Sequence, residues 1–324
     1  MPDIRYITSL DLPELQPYRT LRRPLDHIKQ GIFVAEGEKV VRRLLASNLT
    51  IVSLLMTPEW YERIFSLNHL SIDSLSTLSL GSNTVAHQHI HHSAPKAHPP
   101  LADNTPHLND AGGQALLHYS TLPPLQNRSF TIYISEKQIL ESIIGYNLHQ
   151  GIMAVAEVPE ECSLKETISS LKHPHLLVAL DGLVNAENVG VVVRNCAGFD
   201  VDAILVGETS SSPYLRRSVR NSMGAVFQLP VVHLSNLAED LKTLHRNYQT
   251  NIIAAHPHGE ITLQEADMRG DVCIVFGNEG EGISQTVVNV CSQRAAIPMM
   301  NETDSLNVAS ASAVFLYEAR KQRT

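Results

Sequence analysis

The sequence has few cysteines, no long apolar run and no surplus of basic charge. Its four cysteines, Cys162, Cys196, Cys273 and Cys291, are scattered, with no C-x-x-C pair. Cys196 and Cys273 lie inside apolar runs, so buried free thiols in a reducing compartment are expected. Formal net charge is −8, which argues against a protein wrapped wholly in nucleic acid while leaving room for a local basic patch. No uncharged apolar run approaches the length that crosses a bilayer. Asp3 and Glu14 stand among the early residues with no apolar core between them, so no signal peptide is expected, and the protein is read as soluble and cytoplasmic. G-x-G-x-x-G and the Gly-Lys-Ser/Thr ending of a phosphate loop are both missing, as is any Ser/His/Asp or Cys/His arrangement. Dinucleotide binding, triphosphate binding and triad hydrolysis are therefore not indicated.

What is present is apolar mass in a repeating pattern. With 324 residues and 43% hydrophobic content, the chain can bury two cores. Residues 1–30 read as an amphipathic lead-in carrying Arg19, Arg22 and Arg23. Strand signals follow at Phe33 to Gly37 and Ile51 to Met56, with a helix between them at Glu38 to Ser47 and a further helix start at Trp60. From about Ser71 to Gln126 apolar periodicity fades into Ser, Thr, Asn, Pro and His, which reads as an insertion unable to offset its own ordering entropy. His87, His89, His91 and His92 lie there; without nearby cysteines or patterned carboxylates a solvated polar loop is preferred to a metal site. Strand, helix and strand resume at Thr131 to Ser135, Glu136 to Ile144 and His149 to Val158, completing a small α/β domain over residues 1–160. A polar linker leads to residues 174–324. There Leu176 to Leu180, Ala203 to Gly207, Val231-Val232, Ile252 to Ala255 and Cys273 to Gly277 alternate with helices, which predicts a parallel sheet covered on both faces. Ligands of such sheets sit at the carboxyl ends of the strands.

The loops expected at those ends hold the chemistry. After Leu180 the run Asp181 to Arg194 opens a helix; Asn188 is a candidate cap, Gly190 permits close backbone approach, and Arg194 lies in an otherwise apolar face, where it needs an anionic partner or a structural salt bridge. After Phe276 comes Gly277-Asn278-Glu279-Gly280-Glu281-Gly282, whose glycines allow close ligand contact. Its two carboxylates disfavour phosphate and suit a sulfonium, an amine or a ribose. The third stretch, Ile297-Pro298-Met299 to Ser305-Leu306-Asn307-Val308, joins a strand end to a helix rich in small residues. Ser305 and Asn307 suit hydroxyl orientation, or simply cap the helix.

Asn188-x-Gly190-x-x-x-Arg194, Gly277-Asn278-Glu279-Gly280-x-Gly282 and Ile297-Pro298-Met299 with Ser305 to Ala309 occur in that order. Together they resemble the three motifs of the SpoU (TrmH-type) family of RNA 2′-O-ribose methyltransferases, with Val219 to Phe227 as a further family-like segment. Ala35-Glu36-Gly37 and Gln150 to Val155 resemble the family's ribosomal-protein-like RNA-binding domain. Two features depart from the family pattern: no Asp-Pro pair precedes Asn188, and Asn301 stands where glycine is frequent.

The resemblance implies a trefoil-knotted α/β domain, a homodimer, S-adenosylmethionine as cofactor and rRNA or tRNA as partner. It implies Gly277, Asn278, Glu279, Gly280, Ile297, Met299 and Leu306 at the cofactor, and Arg194, Asn188, Glu279, Ser305 and Asn307 at the chemistry. Arg19, Arg22, Arg23, Arg42, Arg43, Arg216, Arg217 and Arg220 are candidate phosphate contacts or plain solvated surface. A catalytically silent RNA-binding homologue and an unknotted nucleotide-binding enzyme are the rival readings.

Overall fold

The structure is a computed structural model and describes residues 2–65, 128–144, 151–300 and 305–324. The insertion with His87, His89, His91 and His92, the His149-Gln150 pair and Asn301 lie outside the described residues.

The first sheet is built from β1 (Asp3–Tyr6), β2 (Ile32–Glu36), β3 (Ile51–Met56), β4 (Thr131–Ile134) and β5 (Ile152–Glu157), in the order β1-β4-β3-β5-β2. β4 runs parallel to β1 and β3, while β5 runs antiparallel to β3 and β2. β1 departs from the lead-in expected of residues 1–30. All four of its residues are exposed, so no buried face shows in its pattern, and ladder pairing with β4 alone makes it a strand. Helix Glu38–Ala46 follows Gly37, whose φ of +92° suits glycine, and buries Val40, Val41, Leu44 and Leu45 as its spacing predicts.

The second sheet holds β6 (Leu176–Leu180), β7 (Ala203–Val206), β8 (Val231–His233), β9 (Asn251–Ala255), β10 (Ile261–Thr262), β11 (Val272–Phe276) and β12 (Gln293–Ala296). All pairings are parallel, in the order β10-β12-β9-β11-β6-β7-β8. β6 and β11 sit centrally and are buried at every residue, which explains their unbroken apolar runs. Leu177, Ala179, Cys273 and Val275 share one face with Leu237, Leu241 and Leu244 of helix Leu237–Tyr248. On the other face Phe276 meets Phe315 of the C-terminal helix Val308–Arg323 edge-on, at 5.8 Å. That helix packs along helix Ala186–Gly198, where the Asn195 amide donates to the Ala309 carbonyl at 2.8 Å and the Ser312 hydroxyl at 2.9 Å. The small residues at 309–313 serve this contact. Cys196 and Cys273 are buried and free, and burial pushes both thiols well up from their ordinary range.

Helix Ala186–Gly198 also presses on the short helix Arg216–Asn221. A Cβ added at Gly190 would come 2.5 Å from the Ser218 carbonyl oxygen and 2.7 Å from Asn221 Cβ. Gly190→Ala is expected to cost about 1–3 kcal/mol of stability through this overpacking. Thermal denaturation checks it; an unchanged midpoint would mean that the two helices part freely.

The Arg216–Asn221 helix and the turn Ala225–Gln228 cover β2, the edge strand of the first sheet. Phe33 lies 5.5 Å from Tyr214 and 5.4 Å from Phe227 between ring centroids. The Arg216 guanidinium pairs with Glu36 at 2.6 Å, and Arg43 donates to the Met223 carbonyl at 2.8 Å. Arg43 and Arg216, candidate phosphate contacts by sequence, thus tie the two sheets together.

Candidate active site

The site grows from the carboxyl ends of β6, β9, β11 and β12. β6 leads outward through β7 to β8, and the chain then returns to the far side of β11, so the strand order reverses beside β6 and β11. Ligand clefts of open parallel sheets form at such a reversal. Asp181, buried just past β6, accepts from the Ser284 amide at 2.7 Å, and the Asn278 amide donates to the Gly182 carbonyl at 2.8 Å, which ties the loops after β6 and β11 together.

The loop after β11 is closed on itself. Asn278 and Gly282 exchange backbone hydrogen bonds at 2.9 and 3.0 Å, and Asn278 Oδ1 accepts from the amides of Gly280 at 2.8 Å and Glu281 at 3.1 Å. A Cβ on Gly277 would stand 2.3 Å from the Gly282 carbonyl carbon and 2.4 Å from the Ile283 nitrogen. Only glycine lets the strand end fit under its own loop.

Between this loop, the turn after β9 and the start of the C-terminal helix lies a cavity of about 310 Å³. Gly277, Asn278, Glu279, Gly280, Ile297, Met299, Ser305 and Leu306 line it, so every candidate cofactor residue is on one wall or another. Phe276, Val308, Ala311 and Phe315 make its apolar floor. The volume falls at the small end of the range of about 300–1,000 Å³ found for small-molecule pockets.

The polar rim is a chain of side chains from three elements. Asn188 Nδ2 donates to Glu279 Oε1 at 2.6 Å, and Asn307 Nδ2 reaches Asn188 Oδ1 at 3.5 Å. Asn307 Oδ1 meanwhile accepts from the Ala309 amide at 2.8 Å, so Asn307 caps its helix and touches the rim at once. Asn188 does not cap its own helix. Asn185 does, accepting from the amides of Glu187 and Asn188, which leaves the Asn188 side chain free to face Glu279.

Arg194 departs from expectation. It is exposed rather than held in an apolar face, it does not line the cavity, and no hydrogen bond or ion pair joins it to a described residue. Six residues beyond Asn188 place it about 9 Å along the helix and about 120° around it. Sequence reasoning also passed over the turn Ala255-His256-Pro257-His258, which closes the cavity opposite the glycine loop. His256 Nδ1 accepts from the His258 amide at 3.0 Å, so its Nε2 carries the proton and is the ring's free donor. The signal available was position: this turn follows a strand end, like the other loops.

Residues 175–317 match the SpoU rRNA Methylase family. The 23S rRNA (guanosine-2′-O-)-methyltransferase RlmB of Xylella fastidiosa is 33% identical over 190 residues, which cover 58% of this chain and 76% of that protein. The chain belongs to the SpoU family. An uncharacterized tRNA/rRNA methyltransferase of Mycobacterium bovis is 26% identical over 324 residues, covering 98% of this chain and 91% of the relative. The crystal structure of the SpoU methyltransferase AviRb from Streptomyces viridochromogenes, in complex with AdoMet, superposes with a TM-score of 0.67 at 18% identity over 96% of this chain and 99% of that one. At that identity the likeness speaks for the fold, with its parallel sheet. The matched SpoU region contains the cavity, the Asn188–Glu279–Asn307 rim and Arg194.

Proposed function

We infer that this protein is an RNA 2′-O-ribose methyltransferase that uses S-adenosylmethionine and acts on rRNA or tRNA. The observation that carries the reading is the meeting of Asn188 and Asn307, from two separate helix starts, with Glu279, which lines a cavity together with Gly277, Ile297, Met299 and Leu306. The cavity fits the cofactor chemically. Its apolar floor suits an adenine ring, the Gly277 cradle admits close backbone contact, and the carboxylates of Glu279 and Glu281 suit a cationic ligand. Bound there, S-adenosylmethionine supplies an electrophilic methyl group on a sulfonium.

The chain's own residues then have to hold a weak nucleophile. The Asn188 amide, fixed by Glu279, and Ser305 at the helix mouth offer hydrogen bonds that orient a ribose. Arg194 positions the 2′-oxygen and stabilises its developing negative charge; a guanidinium resists deprotonation, so it acts by charge and not as a base. The exposure of Arg194, away from the cavity of its own chain, supports a homodimer in which it serves the partner's cavity. Val314 and Tyr317, exposed on the outer face of the C-terminal helix, are apolar groups for that interface. Ile297 and Met299 after β12 share the cavity wall with the glycine loop, and the C-terminal helix packs on Ala186–Gly198, which supports a trefoil knot there. The first sheet with Arg19, Arg22 and Arg23, and Arg217 and Arg220 on their exposed helix face, form the RNA-binding surface of a cytoplasmic enzyme.

Calorimetry with S-adenosylmethionine tests the reading. One cofactor per chain is expected, lost in Ile297→Glu, which puts a carboxylate into the cavity wall. Absence of binding at high cofactor concentration would sink the methyltransferase reading and leave a silent RNA-binding homologue.

A further inference from the structure

At the opposite ends of the same strands a second cluster stands apart from the cavity. Leu176 opens β6 and Val272 opens β11, and the two residues are register partners. The residues just ahead of them, His175 and Asp271, are therefore brought side by side, with His173 two positions upstream. The Asp271 carboxylate receives the His175 amide at 2.8 Å and lies 2.6 Å from His173 Nδ1 and 3.2 Å from His175 Nδ1. The two imidazole rings are 5.3 Å apart and tilted by 46°, and the three ligand atoms lie within 4.8 Å of one another.

His175 carries the argument. Its side chain is fully buried, and its Nε2 lies 3.2 Å from the hydroxyl of Thr250, itself fully buried. Its Nδ1 has no hydrogen-bond partner, although a carboxylate oxygen is 3.2 Å away, because the ring is turned off the line between them. A buried ring nitrogen left unpaired is costly. A proton on it cannot reach the carboxylate at a useful angle. Two ligand atoms sharing one tetrahedral ion at roughly 2.0–2.1 Å each stand roughly 3.3 Å apart, without pointing at one another. That is the relation of His175 Nδ1 to Asp271 Oδ1. The Thr250 hydroxyl then accepts from Nε2, fixing the ring in the tautomer whose Nδ1 lone pair is free for a metal.

The surroundings suit a divalent ion. The Asp202 carboxylate, which receives the Leu176 amide at 2.7 Å, adds a second negative charge near His175. The Arg323 guanidinium opposes it but spends its donors on the carbonyls of Met268, Gly270, Pro174 and His175, which hold the loops around the cluster. His173 is two-thirds exposed and can swing onto an ion with little cost, leaving a position open to water.

We propose that His173, His175 and Asp271 bind one zinc ion, or a similar imidazole-seeking divalent metal, that fastens the linker before β6 to the amino end of the neighbouring central strand β11. Two imidazoles and a carboxylate suit zinc. The site is at the amino ends of the strands, away from the methyl-transfer loops, so its role is structural.

The test uses the untagged chain with His87→Gln, His89→Gln, His91→Gln and His92→Gln, which removes the closely spaced histidines of the insertion, after stripping with a chelator. Zinc chloride titrated by calorimetry is expected to bind at one equivalent and to raise the thermal midpoint. His173→Gln, at an exposed position, should weaken zinc affinity about tenfold or more and abolish the thermal gain, with S-adenosylmethionine binding kept as the check on folding. Asp271→Asn, which retains an acceptor for the His175 amide, should lose zinc as well. No zinc uptake by the variant lacking those four histidines, or uptake unaffected by His173→Gln, would overturn the proposal and leave the three residues a plain hydrogen-bonded cluster.

Discussion

Arg194→Ala is expected to cut methyl transfer about 10²–10³-fold, the scale on which removal of a charge-stabilising donor acts, while leaving S-adenosylmethionine affinity intact. The separation of the two effects follows from where the side chain is. Arg194 is exposed and outside the cavity, and no described residue of its own chain holds it, so its loss removes nothing from the cavity's walls. Arg194→Lys should recover only part of the rate, because an ammonium lacks the planar fork that spans two acceptors. Turnover near the parent level in Arg194→Ala would take the residue out of the chemistry. A matching fall in cofactor affinity would make it a support of the cavity instead. Mixing subunits extends the test: Arg194→Ala chains combined with Glu279→Ala chains should regain activity if each arginine serves its partner's cavity. Failure to regain it, with mixed dimers formed, would place Arg194 in service of its own chain.

Arg194 also marks where reading the sequence stopped short. A lone cation among Val191, Val192 and Val193 looked like a buried charge, but the helix turns it out, and one-dimensional spacing does not say which neighbour covers a flank. The same limit applied to Arg43 and Arg216. Their charge pointed to phosphate, whereas their geometry spends them on Met223 and Glu36, partners 180 residues away along the chain. The glycines were more legible. Gly190 and Gly277 each stand where a Cβ would strike backbone, and that requirement shows in the sequence as glycine at a place where other residues would do for a helix or a strand end. The parallel sheet was legible for a related reason: strands buried on both faces must be apolar throughout, so Leu176 to Leu180 and Val272 to Phe276 announce themselves. β1 had no such mark, since an exposed edge strand is defined by its ladder and not by its side chains. His256 and His258 stayed hidden because a turn becomes a wall only when the cavity closes.

Gly277→Ala carries the other large effect, and its reasoning is steric. The three nearest atoms to the added methyl group are all backbone, at 2.3, 2.4 and 2.5 Å, and belong to Gly282 and Ile283. They cannot give way as a flexible side chain would. Relief requires the loop to lift, which breaks the paired Asn278–Gly282 hydrogen bonds and strains the Asn278 bonds to Gly182, Gly280 and Glu281. Each net hydrogen bond contributes about 0.5–1.5 kcal/mol, so loss of the pair alone corresponds to about 1–3 kcal/mol. Because Glu279 rides on this loop, the cavity wall and the Asn188–Glu279 contact fail together. The expected result is a fall in S-adenosylmethionine affinity of about 10- to 100-fold, at about 1.4 kcal/mol per decade, with a lower thermal midpoint. Gly280→Ala is the informative comparison: its added Cβ would meet only Asn278 Oδ1, at 3.5 Å, an ordinary contact, so its loss should be clearly smaller. Equal losses at Gly277 and Gly280 would mean that the loop responds to any side chain there and that the closed hairpin is not what shapes the cavity.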